Sequence, residues 1–204
     1  MPLEIEQKFV LRDAAALRAR LREAGARLCS SALELNTIYD DERHSLRTAG
    51  CGLRLRSETG EDGALRHTLT FKGPLASDAL LRQREEIESV IGDRTALEAI
   101  LAQLGYRPRL RFEKRRETWA LAGLAVGATD KSSDRASPER VLVMIDEMPG
   151  CGRFAEIEAG STEAVQRAAR LLGMTESDAE PRTYVAMTAE FGTIGADGVR
   201  SLVF

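Results

Sequence analysis

The chain has 204 residues, of which 43% are hydrophobic and 30% charged, enough for one domain with a sizeable core. Its 29 basic and 32 acidic residues leave a formal charge of −3, which argues against a nucleic-acid binder and allows charges sorted into local clusters. No apolar run approaches the roughly 20 residues that span a bilayer, no signal-peptide pattern opens the chain, and Cys29, Cys51 and Cys151 are too scattered for a disulfide framework, so a cytoplasmic protein with reduced thiols is expected.

In chain order, the first predicted strand places Glu4, Glu6 and Lys8 on one face and Leu3, Ile5 and Phe9 on the other. Asp13 then caps a helix with Leu17, Leu21 and Ala24 at helical spacing, closed by Gly25. A strand from Arg27 to Tyr39 leads to a helical turn near Ser45 to Ala49 and, past Gly50 and Gly52, to a strand from Leu53 to Ser57. Gly60 to Gly63 makes a hairpin turn into a strand from Leu65 to Lys72, which Gly73-Pro74 ends. The next strand covers Leu81 to Ile91, and Asp93 caps a helix carrying Leu97, Ile100, Leu101 and Leu104, ended by Gly105.

A strand from Arg109 to Leu121 follows, then a polar loop over Thr129 to Pro138. Strands Val141 to Asp146 and Arg153 to Ala159 flank a Pro149-Gly150 turn. Ser161 or Thr162 opens a helix with Val165, Ala169 and Leu172, ended by Gly173, and Pro181 to Phe191 is read as a short helix. The expected organisation is one domain over residues 1–190 and a tail, 191–204, of unassigned structure.

About eight short-linked strands and three amphipathic helices indicate an α+β fold, a large antiparallel sheet or barrel. Charges share a face on strand after strand: Arg54 with Arg56, Lys72 with Thr68 and Thr70, Arg84 with Glu86 and Glu88, Lys114 with Arg116, Asp146, and Glu156 with Glu158. Any one of these is more often a solvated face. Together they meet a mechanical constraint, because the helices need the opposite, apolar faces. A sheet of about eight twisted strands tends to close, so the charged faces become an interior. Buried charges left uncompensated cost several kcal/mol each, so such an interior must be wet and suited to a charged ligand.

Arg and Lys suit phosphate oxygens. Clustered carboxylates suit Mg²⁺ or Mn²⁺, while two histidines make a His-rich zinc site improbable. A triphosphate carrying divalent cations fits a lining with both signs of charge. No GxxxxGK[ST] loop is present, and Lys72-Gly73-Pro74 is not a fragment of one.

Glu4-Ile5-Glu6-Gln7-Lys8 resembles the ExExK signature of the CYTH superfamily, the triphosphate tunnel metalloenzymes. The likeness continues in order through Leu53-Arg54-Leu55-Arg56, Thr70-Phe71-Lys72-Gly73-Pro74, Arg84-Glu85-Glu86-Ile87-Glu88 and Lys114-Arg115-Arg116. It then takes in Asp146-Glu147, the run Gly152-Arg153-Phe154-Ala155-Glu156-Ile157-Glu158, and Arg182-Thr183-Tyr184. The resemblance implies an eight-stranded antiparallel closed barrel with helices packed outside, a triphosphate substrate, and dependence on Mg²⁺ or Mn²⁺. The texture around Lys72 to Pro74 and Arg84 to Glu88 is most similar to class IV adenylyl cyclases. Ile38 stands where thiamine triphosphatases resemble a tyrosine, a departure from the thiamine-specific pattern.

The expected phosphate binders are Lys8, Arg54, Arg56, Lys72, Arg84, Lys114 and Arg116, with Lys72 and Arg116 also stabilising charge in the transfer step. The expected metal ligands are Glu4, Glu6, Glu86, Glu88, Asp146, Glu156 and Glu158, Glu86 and Glu88 alternatively orienting water. The same lining allows hydrolysis of ATP, tripolyphosphate or another triphosphate, or cyclisation of ATP to cyclic AMP and pyrophosphate. A polyphosphate-binding module without turnover and a merely structural barrel are the rival readings. Trp119 is read as a packing aromatic, His67 as facing away from the charged side, and Arg115 and Glu117 as outward. Neither nucleic acid nor membrane is an expected partner, and exposed edges or helices leave room for a homodimer.

Overall fold

The structure is a computed structural model that describes residues 3–75, 81–121 and 140–204, residues 3 and 4 by their backbone alone. The polar loop expected over Thr129 to Pro138 lies outside the described residues. Eight antiparallel strands close into a barrel: β1 (Leu3–Val10), β2 (Arg27–Asp40), β3 (Gly52–Gly60), β4 (Leu65–Lys72), β5 (Arg82–Ile91), β6 (Arg107–Leu121), β7 (Val141–Met148) and β8 (Gly152–Ala159). Their order around the wall is β2-β3-β4-β5-β1-β8-β7-β6, and β2 pairs with β6 to complete the ring. That closing pair is the longest ladder, from Arg27 opposite Ala120 to Asp40 opposite Arg107, with register shifts at Leu28/Ser30 and Ile38/Tyr39. Such irregularities bend and twist a strand, as a closed sheet requires.

Helices cover the outer, apolar faces. Helix α1 (Ala14–Glu23) starts at Asp13, whose side chain accepts from Ala16 N at 2.9 Å. The 4-residue helix α2 (Ser45–Thr48) follows β2, and α3 (Arg94–Gln103) is capped by Asp93. Helix α4 (Thr162–Leu171) starts at Ser161, whose Oγ accepts from Ala164 N at 3.2 Å. The main core joins Leu17 and Leu21 of α1 and Val165, Ala168 and Ala169 of α4 to Ile5, Phe9, Val143, Ile145 and Ile157 on the barrel. Trp119 lies in the same core, as a packing aromatic should. A second cluster packs Leu101 of α3 against Tyr39 and Leu55.

Gly173, at φ +71°, ends α4 where a Cβ would lie 2.1 Å from Arg20 Nη1. That guanidinium donates to Leu172 O at 2.6 Å and links α1 to α4. A side chain at this position would be strained by its backbone and would also push the link aside.

Helix α5 (Tyr184–Phe191) closes one end of the barrel, Tyr184 and Met187 packing with Leu110, Phe112, Met148 and Phe154. The tail left unassigned from sequence forms β9 (Thr193–Ile194) and β10 (Arg200–Leu202). Its place has a simple cause. β6 has 15 residues and β7 only 8, and their ladder runs from Arg115 to Leu121 on β6. The first half of β6 therefore has an edge to fill, and β10 pairs with it in parallel, Leu202 opposite Phe112. Among the described residues no helix is long and apolar enough to cross a membrane.

Candidate functional site: an ion-paired bore

The period-2 alternation of the wall decides which side chains enter the barrel. On β6, Phe112, Lys114 and Arg116 turn inward, whereas Arg115 is 57% exposed and pairs with Glu147, and Glu117 takes two hydrogen bonds from Arg18 Nε on α1. His67 faces out, its Nδ1 2.8 Å from Ser57 Oγ. The sequence-based facing of these residues holds.

Near the closed end the lining is a single network. Asp146, fully buried, accepts from Arg116 Nε at 2.6 Å on Oδ1 and from Lys114 Nζ at 3.2 Å on Oδ2. Tyr184 Oη donates to the same Oδ2 at 2.6 Å. Arg116 also donates to Glu156, which lies 3.6 Å from Lys8 Nζ. Lys8 itself donates to Arg182 O at 3.0 Å and stands 3.5 Å from the centre of the Tyr184 ring. Burial lowers the Lys8 ammonium to about 8, against the pull of Glu156 upward. Burial also works to neutralise Glu156, but Lys8, Arg116 and Lys114 overcome it and hold the carboxylate well below its ordinary value. Burial lifts the Tyr184 hydroxyl far above 10, with Asp146 and Glu156 adding to it, so it stays a donor.

Toward the other end the same pattern repeats on the opposite wall. Lys72 Nζ and Arg84 Nε donate to one oxygen of Glu86, the Arg84 bond measuring 2.9 Å. Thr70 Oγ1 donates to Glu88 Oε1 at 2.7 Å, and Arg54 reaches that oxygen at 3.5 Å. Glu88 is 46% exposed and marks the open end. Arg56 is held only loosely, 3.8 Å from Glu34 and 3.7 Å from Glu58. The Nε atoms of Arg54 and Arg56 are buried without a hydrogen-bond partner, as is Thr68 Oγ1.

All the expected phosphate binders therefore enter one bore. The expected metal ligands do not form one cluster: among the described residues no three carboxylates, histidines or cysteines come together to hold an ion. Glu86 faces Lys72 and Arg84, and Asp146 has its acceptor positions taken by Lys114, Arg116 and Tyr184. Glu6 and Glu158 are opposed across β1 and β8, while the side chain of Glu4 lies outside what is described. Glu6 accepts from Arg82 at 3.3 Å.

Several lining residues escaped the sequence reading. Arg82 is buried, bonded to Glu6 and to Pro181 O at 2.7 Å, and lies two positions before Arg84, so the same alternation marks it. Glu34 and Asn36 on β2 are fully buried and also alternate, with Ile38 next on that face. Ile38 joins the apolar floor rather than the ion pairs. The two-wall role of Glu34, between β3 and β6, has no local signal.

Residues 2–184 match the family profile described as CYTH domain. A candidate adenylate cyclase of Methanocaldococcus jannaschii is 24% identical over 156 residues, 76% of each chain. Among solved structures, a protein of Pyrococcus horikoshii OT3 is 24% identical with a TM-score of 0.68, covering 92% of this chain and 98% of that one. A candidate adenylate cyclase of Vibrio parahaemolyticus is 20% identical with a TM-score of 0.69, over 89% and 95% of the two chains. A candidate adenylyl cyclase from Hippeastrum, described as having a dominant triphosphatase activity, is 15% identical with a TM-score of 0.56, over 88% and 90%. At these identities the structural likeness concerns the fold.

Proposed function

The chain belongs to the CYTH domain family, and we propose that its bore takes up a triphosphate with a divalent cation and hydrolyses the terminal phosphoanhydride. The observation that carries this reading is the pair Arg54 and Arg56 on β3, half-buried side chains whose Nε atoms are buried and make no hydrogen bond. A buried donor without an acceptor is costly, and phosphate oxygens would satisfy both. Lys72 and Arg84 would extend the grip along one wall, and Lys8, Lys114 and Arg116 along the other.

Mg²⁺ or Mn²⁺ would be held where the carboxylates of Glu6 and Glu158 oppose each other across β1 and β8, oxygen donors of the kind these ions take. Glu4 shares the Glu6 face by register. The bound cation would supply Lewis acidity to the reacting phosphorus and its attacking water. As phosphate oxygens draw Arg116 away, Glu156 and Asp146 would lose a donor each and become able to join Glu6 and Glu158. Lys72 and Arg116 would stabilise the charge that spreads over the transferred group. Water would add at the terminal phosphorus, the bridging P–O bond would break with its electron pair leaving on the shortened phosphate chain, and the proton lost by the water would pass to that chain or to solvent.

Cyclisation of ATP is the second reading, favoured by the names of several relatives. Hydrolysis fits the lining better. Among the described residues the inward aromatic rings are Phe112, Phe154 and Tyr184, all packed into the floor, so none offers adenine a stacking surface at the open end. Incubation of tripolyphosphate and of ATP with Mg²⁺ or Mn²⁺ tests the proposal. Orthophosphate from both supports it, cyclic AMP with pyrophosphate moves the assignment to cyclisation, and metal-dependent binding without products makes the protein a triphosphate receptor.

A further inference from the structure

Glu34 has no part in the scheme above, yet it is one of the most buried charged groups in the molecule. It stands on β2 between two walls of the bore. Its Oε2 lies 3.4 Å from Lys114 Nζ, and its Oε1 lies 3.8 Å from both Arg56 Nη1 and Arg116 Nε. Asn36 Nδ2 reaches Oε2 at 3.4 Å. Oε1, although buried, accepts no hydrogen bond. The carboxylate is surrounded by cations at ion-pair distance without being locked to any of them. Burial alone would push it toward the neutral acid, but Lys114, Arg116, Arg56 and Arg54 overcome this and hold it at about 2, so it is ionised at neutral pH.

The groups around it are short of partners. Asn36 is the cross-strand partner of Arg56, and Arg56 that of Thr68. Asn36 Oδ1, Arg56 Nε and Thr68 Oγ1 form a buried row across β2, β3 and β4 in which each atom lacks a hydrogen-bond partner, with Arg54 Nε beside it. A site built only for stability would not leave these three atoms without hydrogen bonds beside a carboxylate whose Oε1 also accepts none.

We propose that Glu34 is a built-in counter-anion, which neutralises Arg56, Lys114 and Arg116 while the bore is empty and competes with the substrate's phosphate for them. The inference rests on the triphosphate reading and adds a control of affinity to it. Glu34 is a positioning residue and makes no contact with the reacting atoms. Its charge keeps the cations from repelling one another and sets a floor on the dissociation constant, so that a product with fewer phosphates is released rather than trapped.

A purely structural role and the competitive role predict opposite signs, which makes the test direct. Binding of inorganic tripolyphosphate is measured by calorimetry in EDTA at fixed ionic strength, so that no turnover intervenes. Glu34→Gln keeps the shape and removes the charge, and the expected result is binding tighter by about ten-fold or more, with a steeper loss of affinity on adding salt. With metal present, KM and kcat should fall together, as product release slows. Should E34Q fail to fold, Glu34→Asp keeps the charge but draws it back by one methylene from Arg56 and Arg116, and a smaller gain in affinity is expected. Equal or weaker binding by these variants, with wild-type binding intact, overturns the inference alone. No binding by any of them, wild type included, either in EDTA or with Mg²⁺ added, overturns the triphosphate reading and this inference with it.

Discussion

Tyr184 donates its hydroxyl to Asp146 Oδ2 at 2.6 Å, tying the helix that floors the bore to the carboxylate on which Lys114 and Arg116 converge. Two substitutions separate the parts of that link. Tyr184→Phe keeps the ring against Lys8 and removes one donor, which should cost about 1–2 kcal/mol. Asp146→Asn strips the shared counter-charge from two buried cations and should cost roughly 3–5 kcal/mol. Urea denaturation of both variants gives the comparison, and an Asp146→Asn protein as stable as Tyr184→Phe would refute the anchoring role.

Arg56 tests ligand binding with little effect on the fold, because its ion pairs at 3.7 and 3.8 Å are long and Glu34 keeps Lys114 and Arg116 without it. Arg56→Ala should weaken tripolyphosphate binding by about 10- to 100-fold, the equivalent of one or two charge-assisted hydrogen bonds. Unchanged affinity in the variant would mean that the phosphate chain lies elsewhere.

Acid stability follows from Glu34. Its folded-state value of about 2 lies below the ordinary 4.5, so the folded protein resists protonation there more than the unfolded chain does. The resulting stabilisation is fully present above pH 4.5 and is lost as the pH falls toward 2. Wild type should therefore lose up to about 3 kcal/mol across that window that Glu34→Gln does not. Chemical denaturation at a series of pH values measures the difference, and a gap that stays constant with pH would contradict it.

Glu6 and Glu158 face each other across β1 and β8, which sets the expectation for the metal. EDTA should abolish turnover, and Mg²⁺ or Mn²⁺ should restore it. Glu158→Gln should raise the metal concentration for half-maximal activity by about ten-fold, near 1.4 kcal/mol. Activity indifferent to chelator would remove the metal from the scheme.

The tail offers a stability test away from the bore. Removing residues 193–204 uncovers the edge of β6 from Leu110 to Phe112 and deletes Val199, which is buried, and Leu202, which packs on the floor cluster. A loss of about 2–4 kcal/mol is expected, read as a lower melting temperature. A shortened chain as stable as the whole would show that β10 merely lies against the barrel.

The residues most legible in sequence are those whose facing follows from strict alternation. Lys8, Arg54, Arg56, Lys72, Arg84, Lys114 and Arg116 each occupy the inward register of a strand, and the outward placement of His67, Arg115, Glu117 and Trp119 follows from the same rule. Arg82 and Glu34 obey it as well. Arg82 shares the Arg84 face by the same alternation, whereas Glu34 lies on a strand whose other charges, Arg27 and Asp40, lie far from it. The helix caps at Asp13, Asp93 and Ser161 were legible because capping is local chemistry, settled within three residues.

Alternation and capping by themselves determined that apolar faces would meet helices and that charged faces would share an interior, because both depend on short-range geometry repeated along the chain. Which carboxylate would neutralise which cation was decided only when distant strands closed on one another. Ion pairing acts through space, so Asp146 finds Lys114, Arg116 and Tyr184, and the tail finds the uncovered edge of β6, by spatial proximity that no spacing along the chain encodes.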